Sequence, residues 1–178
     1  MKFKETPQAK KGDIGERIVR QYLQSNGWFV YSLLDDPDRA HPIDTVAMKQ
    51  DNLILLDVKT YPRRQNHSDT GIDQHHRMRY IDLSKRHNLR VFIAFCDEIE
   101  MRIYGHWLHI LEKQRPTGTV EGSWFKGRET VSPWDYPQFW QSKVYYPLSV
   151  MEHVCDLSDE QVDSIAQFTT RKKVYTYH

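Results

Sequence analysis

Cysteine is scarce in this chain of 178 residues: only Cys96 and Cys155 are present, far apart. That excludes a disulfide framework as the source of stability, and a reducing, cytoplasmic setting is expected. No apolar run approaches the roughly 20 residues that a membrane span needs. The stretch Met1-Lys2-Phe3-Lys4-Glu5 has no apolar centre of the secretory-signal kind, so no membrane association is expected. Internal repeats and low-complexity tracts are missing, which excludes a solenoid or a fibrous protein. An excess of charge of one sign is missing too. Lys and Arg number 25 against 24 Asp and Glu, a net charge of +1. A polyanion binder generally shows a larger positive balance, so any such binding must come from segregated clusters. No nucleotide cofactor is expected.

What is present suits one soluble domain with a real core and an appended segment. Hydrophobic residues make up 39% and charged residues 28%. Apolar positions Ile14, Ile18, Val19, Tyr22 and Leu23 recur at helical spacing, and Asn26-Gly27 stops that helix, predicted over 12–26. Strands are predicted over 28–34, 43–48 and 53–58, the last two joined by a hairpin turn at Gln50-Asp51-Asn52. The polar segment 61–70, with Pro62, reads as a mobile loop. A helix follows over 73–87, with Met78, Ile81 and Leu83 facing inward. Short strands at 91–95 and 101–104 and a short helix at 107–113 complete an α/β order, a mixed sheet flanked by helices. Beyond Gln114, prolines, glycines and aromatic residues such as Trp124, Trp134 and Trp140 crowd the chain. Short strands and turns are expected there. Ser158-Asp159-Glu160-Gln161 has capping-box form and starts a last helix.

The most informative stretch is Asp57-Val58-Lys59, which ends the apolar run Leu53-Ile54-Leu55-Leu56. A buried strand rarely ends in a carboxylate and an ammonium. Side chains alternate along a strand, so Asp57 and Lys59 point to the same side. Asp44 opens the preceding strand, and antiparallel pairing would bring it to the same end of the hairpin. Two carboxylates and a lysine together suit a hard cation and a phosphodiester.

Asp44…Asp57-Val58-Lys59, with Pro42-Ile43-Asp44 as a loose first half, resembles the signature of the PD-(D/E)xK nuclease superfamily. Glu16, in Gly12-Asp13-Ile14-Gly15-Glu16, matches the acid that many members carry on their first helix. The order and spacing of Glu16, Asp44, Asp57 and Lys59 are similar to those of archaeal Holliday-junction resolvases. Asp57 is a departure, since resolvase-like members more often have Glu there. The resemblance implies a restriction-endonuclease-like core over 1–115, with an aromatic-rich extension over 116–178 packed on it. It implies a metal-dependent endodeoxyribonuclease acting on branched or flapped DNA, with a homodimer as its working form. Asp44, Asp57, Glu16 and the backbone carbonyl of Val58 would hold Mg²⁺ or Mn²⁺, and Lys59 would orient the attacking water. The competing expectation is a catalytically silent nuclease-fold module that binds or regulates.

Basic clusters at Arg63-Arg64, at His75-His76-Arg77 with Arg79, at Lys85-Arg86 and at Arg171-Lys172-Lys173 are the candidate phosphate contacts. Within them, Arg63, Arg64, His75 and Arg77, together with Gln74, are taken as nucleic-acid-binding. Adjacent histidines diverge on a helix, so His75 and His76 are a poor pair of metal ligands. His106 and His109 lie at i,i+3 with Glu112 one turn on, but no further ligand completes a zinc site. Cys96 reads as a small buried hydrophobe.

Overall fold

A computed structural model describes residues 6–33, 43–63, 68–113, 120–121 and 143–169. Helix α1 runs Pro7–Ser25, earlier than its predicted start. Pro7 stands in its first turn and the Thr6 side chain caps it by accepting from the Ala9 N–H. It ends as predicted. Gly27 takes φ 78, and the N–H groups of Gly27 and Trp28 close onto the carbonyls of Gln24 and Leu23. That double closure satisfies carbonyls that the helix leaves open, and its left-handed turn favours glycine.

Strands β1 (Phe29–Ser32), β2 (Thr45–Lys49) and β3 (Asn52–Thr60) form an antiparallel meander. The chain then adds β4 (Asp69–Asp73) and helix α2 (Gln74–His87) before returning as β5 (Arg90–Asp97), parallel to β3. Strand β6 (Arg102–Trp107) and helix α3 (Leu108–Lys113) follow. Next come β7 (Val120–Glu121), β8 (Lys143–Pro147), β9 (Glu152–Asp156) and helix α4 (Asp159–Ala166). A six-stranded mixed sheet has the order β1-β2-β3-β5-β6-β9, and β4-β8-β7 make a small second sheet. The expected mixed sheet flanked by helices is what forms. Strand β9 extends the main sheet, and β8 pairs with β4. The Ser158 capping box is complete, with both reciprocal bonds made. The aromatic residues between 122 and 142 lie outside the described residues, as do Arg171, Lys172 and Lys173.

One expectation fails. The predicted mobile loop over 61–70 gives way at its far end to β4, which pairs with β8 through five register positions from Asp69↔Pro147 to Asp73↔Lys143. Asp69-Thr70-Gly71-Ile72-Asp73 has too little apolar character to announce a strand, and its partner lies far along the chain.

The period of two along β3 divides the core. Leu56 and Val58 pack with Ile14, Ile18 and Val19 of α1 and Ile165 of α4. Leu55 joins Ile72, Tyr80, Leu108, Leu111, Val144 and Tyr146 on the other face. Each fully buried Ile or Leu stabilises by roughly 1.5–3 kcal/mol, so the strand is clamped from both sides. Gly15 sets how closely α1 approaches it. A Cβ there would lie 1.9 Å from the Thr60 Oγ1 and 2.9 Å from its Cβ and Cγ2.

Candidate active site

The end of β3 carries the polar residues that its apolar start makes unusual. Asp57 is 1% exposed, and alternation puts it and Lys59 on the Leu55 face. Thr45 of β2 pairs with Leu56, so one further step of the same register sets Asp44 beside Asp57. Burial, then the neighbouring Asp57 carboxyl, push the Asp44 pKa up to about 7. Sequence and structure agree that these two acids meet.

Glu16 arrives from α1, which lies on the opposite face of the sheet. Its close packing at Gly15 brings the helix in, and Glu16 is 9% exposed. Burial first, then Asp44, Asp13 and Asp57, push its pKa up to about 8. Arg20 lowers the value, as the least of the five influences. One oxygen, Oε2, is buried without a hydrogen-bond partner.

Lys59 is held on several sides. Its Nζ lies 3.0 Å from Asp57 Oδ1 and 2.9 Å from Oδ2. From α2, His76 Nδ1 and the Tyr80 hydroxyl each approach to 3.3 Å. Burial works against the lysine's charge, but Asp57, by charge and hydrogen bond, and Asp44 raise its pKa above the ordinary value. Tyr80 is fully buried. Burial, then the charge of and a hydrogen bond to Asp57, push its hydroxyl far above its usual pKa. Burial, then Lys59 and His75, lower His76 to about 4, so its imidazole is neutral near pH 7. His76 and Tyr80 are the residues that sequence reasoning missed as neighbours of the lysine. Their i,i+4 spacing on one helix was the available signal, since that spacing shares a face.

The other predicted residues separate. Val58 lies between Asp57 and Lys59, with its side chain in the α1 cluster. Gln74 is fully buried and Arg77 is 1% exposed. Arg77 donates from Nε and Nη2 to both oxygens of Glu112, at 2.9 and 2.6 Å. Tyr146 donates to the same carboxylate at 2.8 Å. Gln74 and Arg77 are therefore corrected from phosphate contacts to parts of an interior network joining α2, α3 and β8. The same network takes Glu112 away from any zinc site with His106 and His109. Arg63 donates from Nε to Glu100 at 2.6 Å, and Arg64 lies outside the described residues. His75 is half-buried and tilts against His76, ring centroids 4.1 Å apart. Lys143 enters from β8, its Nζ 3.7 Å from Asp73 Oδ1, at the start of α2. Cys96 is buried, as expected.

The carboxyl oxygens of Glu16, Asp44 and Asp57 are hard donors short of compensating charge, which suits a hard dication. Among the described residues, no three acid, His or Cys side chains are already drawn together as a metal-holding group. No helix among them is long and apolar enough to cross a membrane.

No family model matches the chain, and no curated protein matches it. Solved structures do. One is Hjc, a Holliday junction resolvase from the archaeal hyperthermophile Archaeoglobus fulgidus. It is 14% identical, with a TM-score of 0.46, over 60% of this chain and 83% of that one. Another is a nuclease from a fusselovirus, 12% identical with a TM-score of 0.45, over 86% of this chain and 87% of that one. By its own element order and strand pairing, the chain is a six-stranded mixed sheet flanked by helices, with a small second sheet beside it.

Proposed function

We propose that this protein is a metal-dependent endodeoxyribonuclease. The observation that carries the reading is the convergence of Asp44, Asp57 and Lys59 at one end of the β2–β3 hairpin. Glu16, Asp44 and Asp57, with the Val58 carbonyl, would hold Mg²⁺ or Mn²⁺. The unpartnered Glu16 Oε2 and the raised carboxyl pKa values support that assignment, because a dication relieves both. When bound, the ion supplies charge neutralisation at the phosphodiester and acidifies the attacking water. Lys59 orients that water and counters charge on the phosphate, a role suited to a compact ammonium. Water attacks phosphorus, one P–O ester bond breaks, and the departing oxygen takes up a proton.

The resolvase-like order of Glu16, Asp44, Asp57 and Lys59 supports branched or flapped DNA as the substrate class. A homodimer would set two such sites across a junction. The same reading assigns 1–115 as the catalytic core and 116–178 as an extension docked on it, in a cytoplasmic setting. His75, Arg63 and Arg64 remain its candidate phosphate contacts. The test is cleavage of labelled duplex, single strand, flap, splayed arm and four-way junction in Mg²⁺, Mn²⁺ or EDTA, with Asp57→Asn alongside. Metal-dependent cutting that is lost in the variant is expected. A folded protein that binds DNA and cuts none of these overturns the enzyme and leaves the silent nuclease-fold module.

A further inference from the structure

An ammonium has three N–H donors and no acceptor. Asp57, His76 and Tyr80 surround that of Lys59, so its donors are engaged before any substrate arrives. The three contacts are not equivalent. Asp57 is also the proposed metal ligand, and a carboxylate that turns to a cation loosens its hold on the lysine. The Tyr80 hydroxyl carries a proton of its own as well as lone pairs. His76 offers the ammonium a neutral ring nitrogen at 3.3 Å that carries no charge to be drawn toward a metal. Lys59 can only donate, so Nδ1 accepts, and the ring proton sits on Nε2.

We propose that His76 is the positioning residue for Lys59: its Nδ1 keeps the ammonium aimed at the reacting phosphate once Asp57 is committed to the metal. The proposal rests on the nuclease reading. His76 has the support such a role needs. It rises from a helix whose Tyr80 and Arg77 are fully buried. Its ring is braced by His75 on one side and by Tyr80, at a centroid distance of 6.0 Å, on the other. The half-buried setting keeps its charge off, which preserves the lone pair.

Asparagine presents its Oδ1 where histidine presents Nδ1, so His76→Asn keeps the acceptor and His76→Leu removes it. With the preferred DNA substrate and saturating Mg²⁺, His76→Leu should lower kcat by about tenfold to a hundredfold, the scale of a misplaced catalytic group. KM should stay unchanged, and His76→Asn should recover most of the loss. A phosphate-contacting histidine would instead raise KM, and a merely structural one would show no rescue. A second readout avoids turnover. The Lys59 ammonium is followed by ¹⁵N NMR in the DNA-free protein with Ca²⁺, its signal assigned by its absence in Lys59→Met. A sharp signal is expected in wild type and His76→Asn, and a broadened one in His76→Leu. An unchanged kcat and an unchanged signal in His76→Leu overturn the proposal alone. A wild-type protein that cuts nothing overturns the nuclease reading, and the proposal falls with it.

Discussion

Two buried ionic clusters are built on opposite terms. Around Glu112 the charges match: Arg77 meets both carboxylate oxygens, and Tyr146 adds a hydrogen bond. Around Asp57 they do not. Asp44 and Asp57 share Lys59, Glu16 adds a third acid, Glu16 and Asp44 are pushed toward their protonated forms, and Glu16 keeps a buried unpartnered oxygen. Polar groups buried for structure are satisfied by their neighbours. A cluster left short of positive charge is poised to bind something that supplies it.

Substitutions should separate the two clusters by what they damage. Asp57→Asn keeps the side chain's shape and removes a ligand charge. It should cut the cleavage rate by about a hundredfold or more, the scale of losing one preorganised electrostatic contact. Its urea midpoint should fall less than that of Arg77→Met, because the loss of the Lys59 ion pair is offset in part by relief of repulsion with Asp44 and Glu16. Near-normal cutting would remove Asp57 from the chemistry. Arg77→Met should do the reverse. It strands the Glu112 carboxylate, partly buried at 19% side-chain exposure, and should destabilise by about 3 kcal/mol in urea titration. Cleavage per folded molecule should hold. Activity lost without stability loss would return Arg77 to the DNA-contact list.

A smaller effect is expected where the two faces of the fold are joined. Gly15→Ala forces a contact of 1.9 Å with Thr60 Oγ1, so α1 must retreat from β3. Overpacking of this kind destabilises by about 1–3 kcal/mol. Because Glu16 is the next residue, metal affinity should fall along with stability. Thr60→Ala in the Gly15→Ala background removes the hydroxyl and methyl groups and should restore part of both. Calorimetry of Mn²⁺ binding reads the affinity, and recovery of stability alone would detach Glu16 from the site.

How much of this was legible beforehand follows the same division. Strand β3 was readable because an apolar run that stops at Asp57 and Lys59 is unusual, and period-two alternation then dictates that the two share a side. Asp44 followed from the short hairpin. Helix α2 was readable as a helix, and Ile81 and Leu83 pack against the core as expected, but the fully buried stripe of its inward face was not readable. That face is Gln74, Arg77 and Tyr80 at i, i+3 and i+6, and hydrophobic periodicity cannot find a stripe with polar residues at two of its three positions. Arg77 was consequently mistaken for a solvent-facing phosphate contact, and His76 was not linked to Lys59. Strand β4 was hidden for a related reason. Its pairing with β8 is a contact between distant segments, which no local pattern of residues announces.

The imbalance around Asp57 also predicts a pH signature, the smallest effect and the one that best sharpens the contrast. Glu16 and Asp44 stand near 8 and 7 in the folded protein, above their ordinary values of 4.5 and 3.8. The folded state therefore holds protons that the unfolded chain has already released. Their contribution to stability is full below about pH 4, falls as pH rises toward about 8, and is flat beyond it. In EDTA, the melting temperature should decline across that window. Mg²⁺ should offset the decline, so the increment it adds should be larger at pH 8 than at pH 5.5. Glu16→Gln should reduce the EDTA slope and the Mg²⁺ increment together, leaving the share that Asp44 contributes. Arg77→Met should lower the whole curve without changing its slope, because its partner is matched rather than crowded. An Mg²⁺ increment equal at both pH values would mean that the ion, if it binds, binds away from these acids.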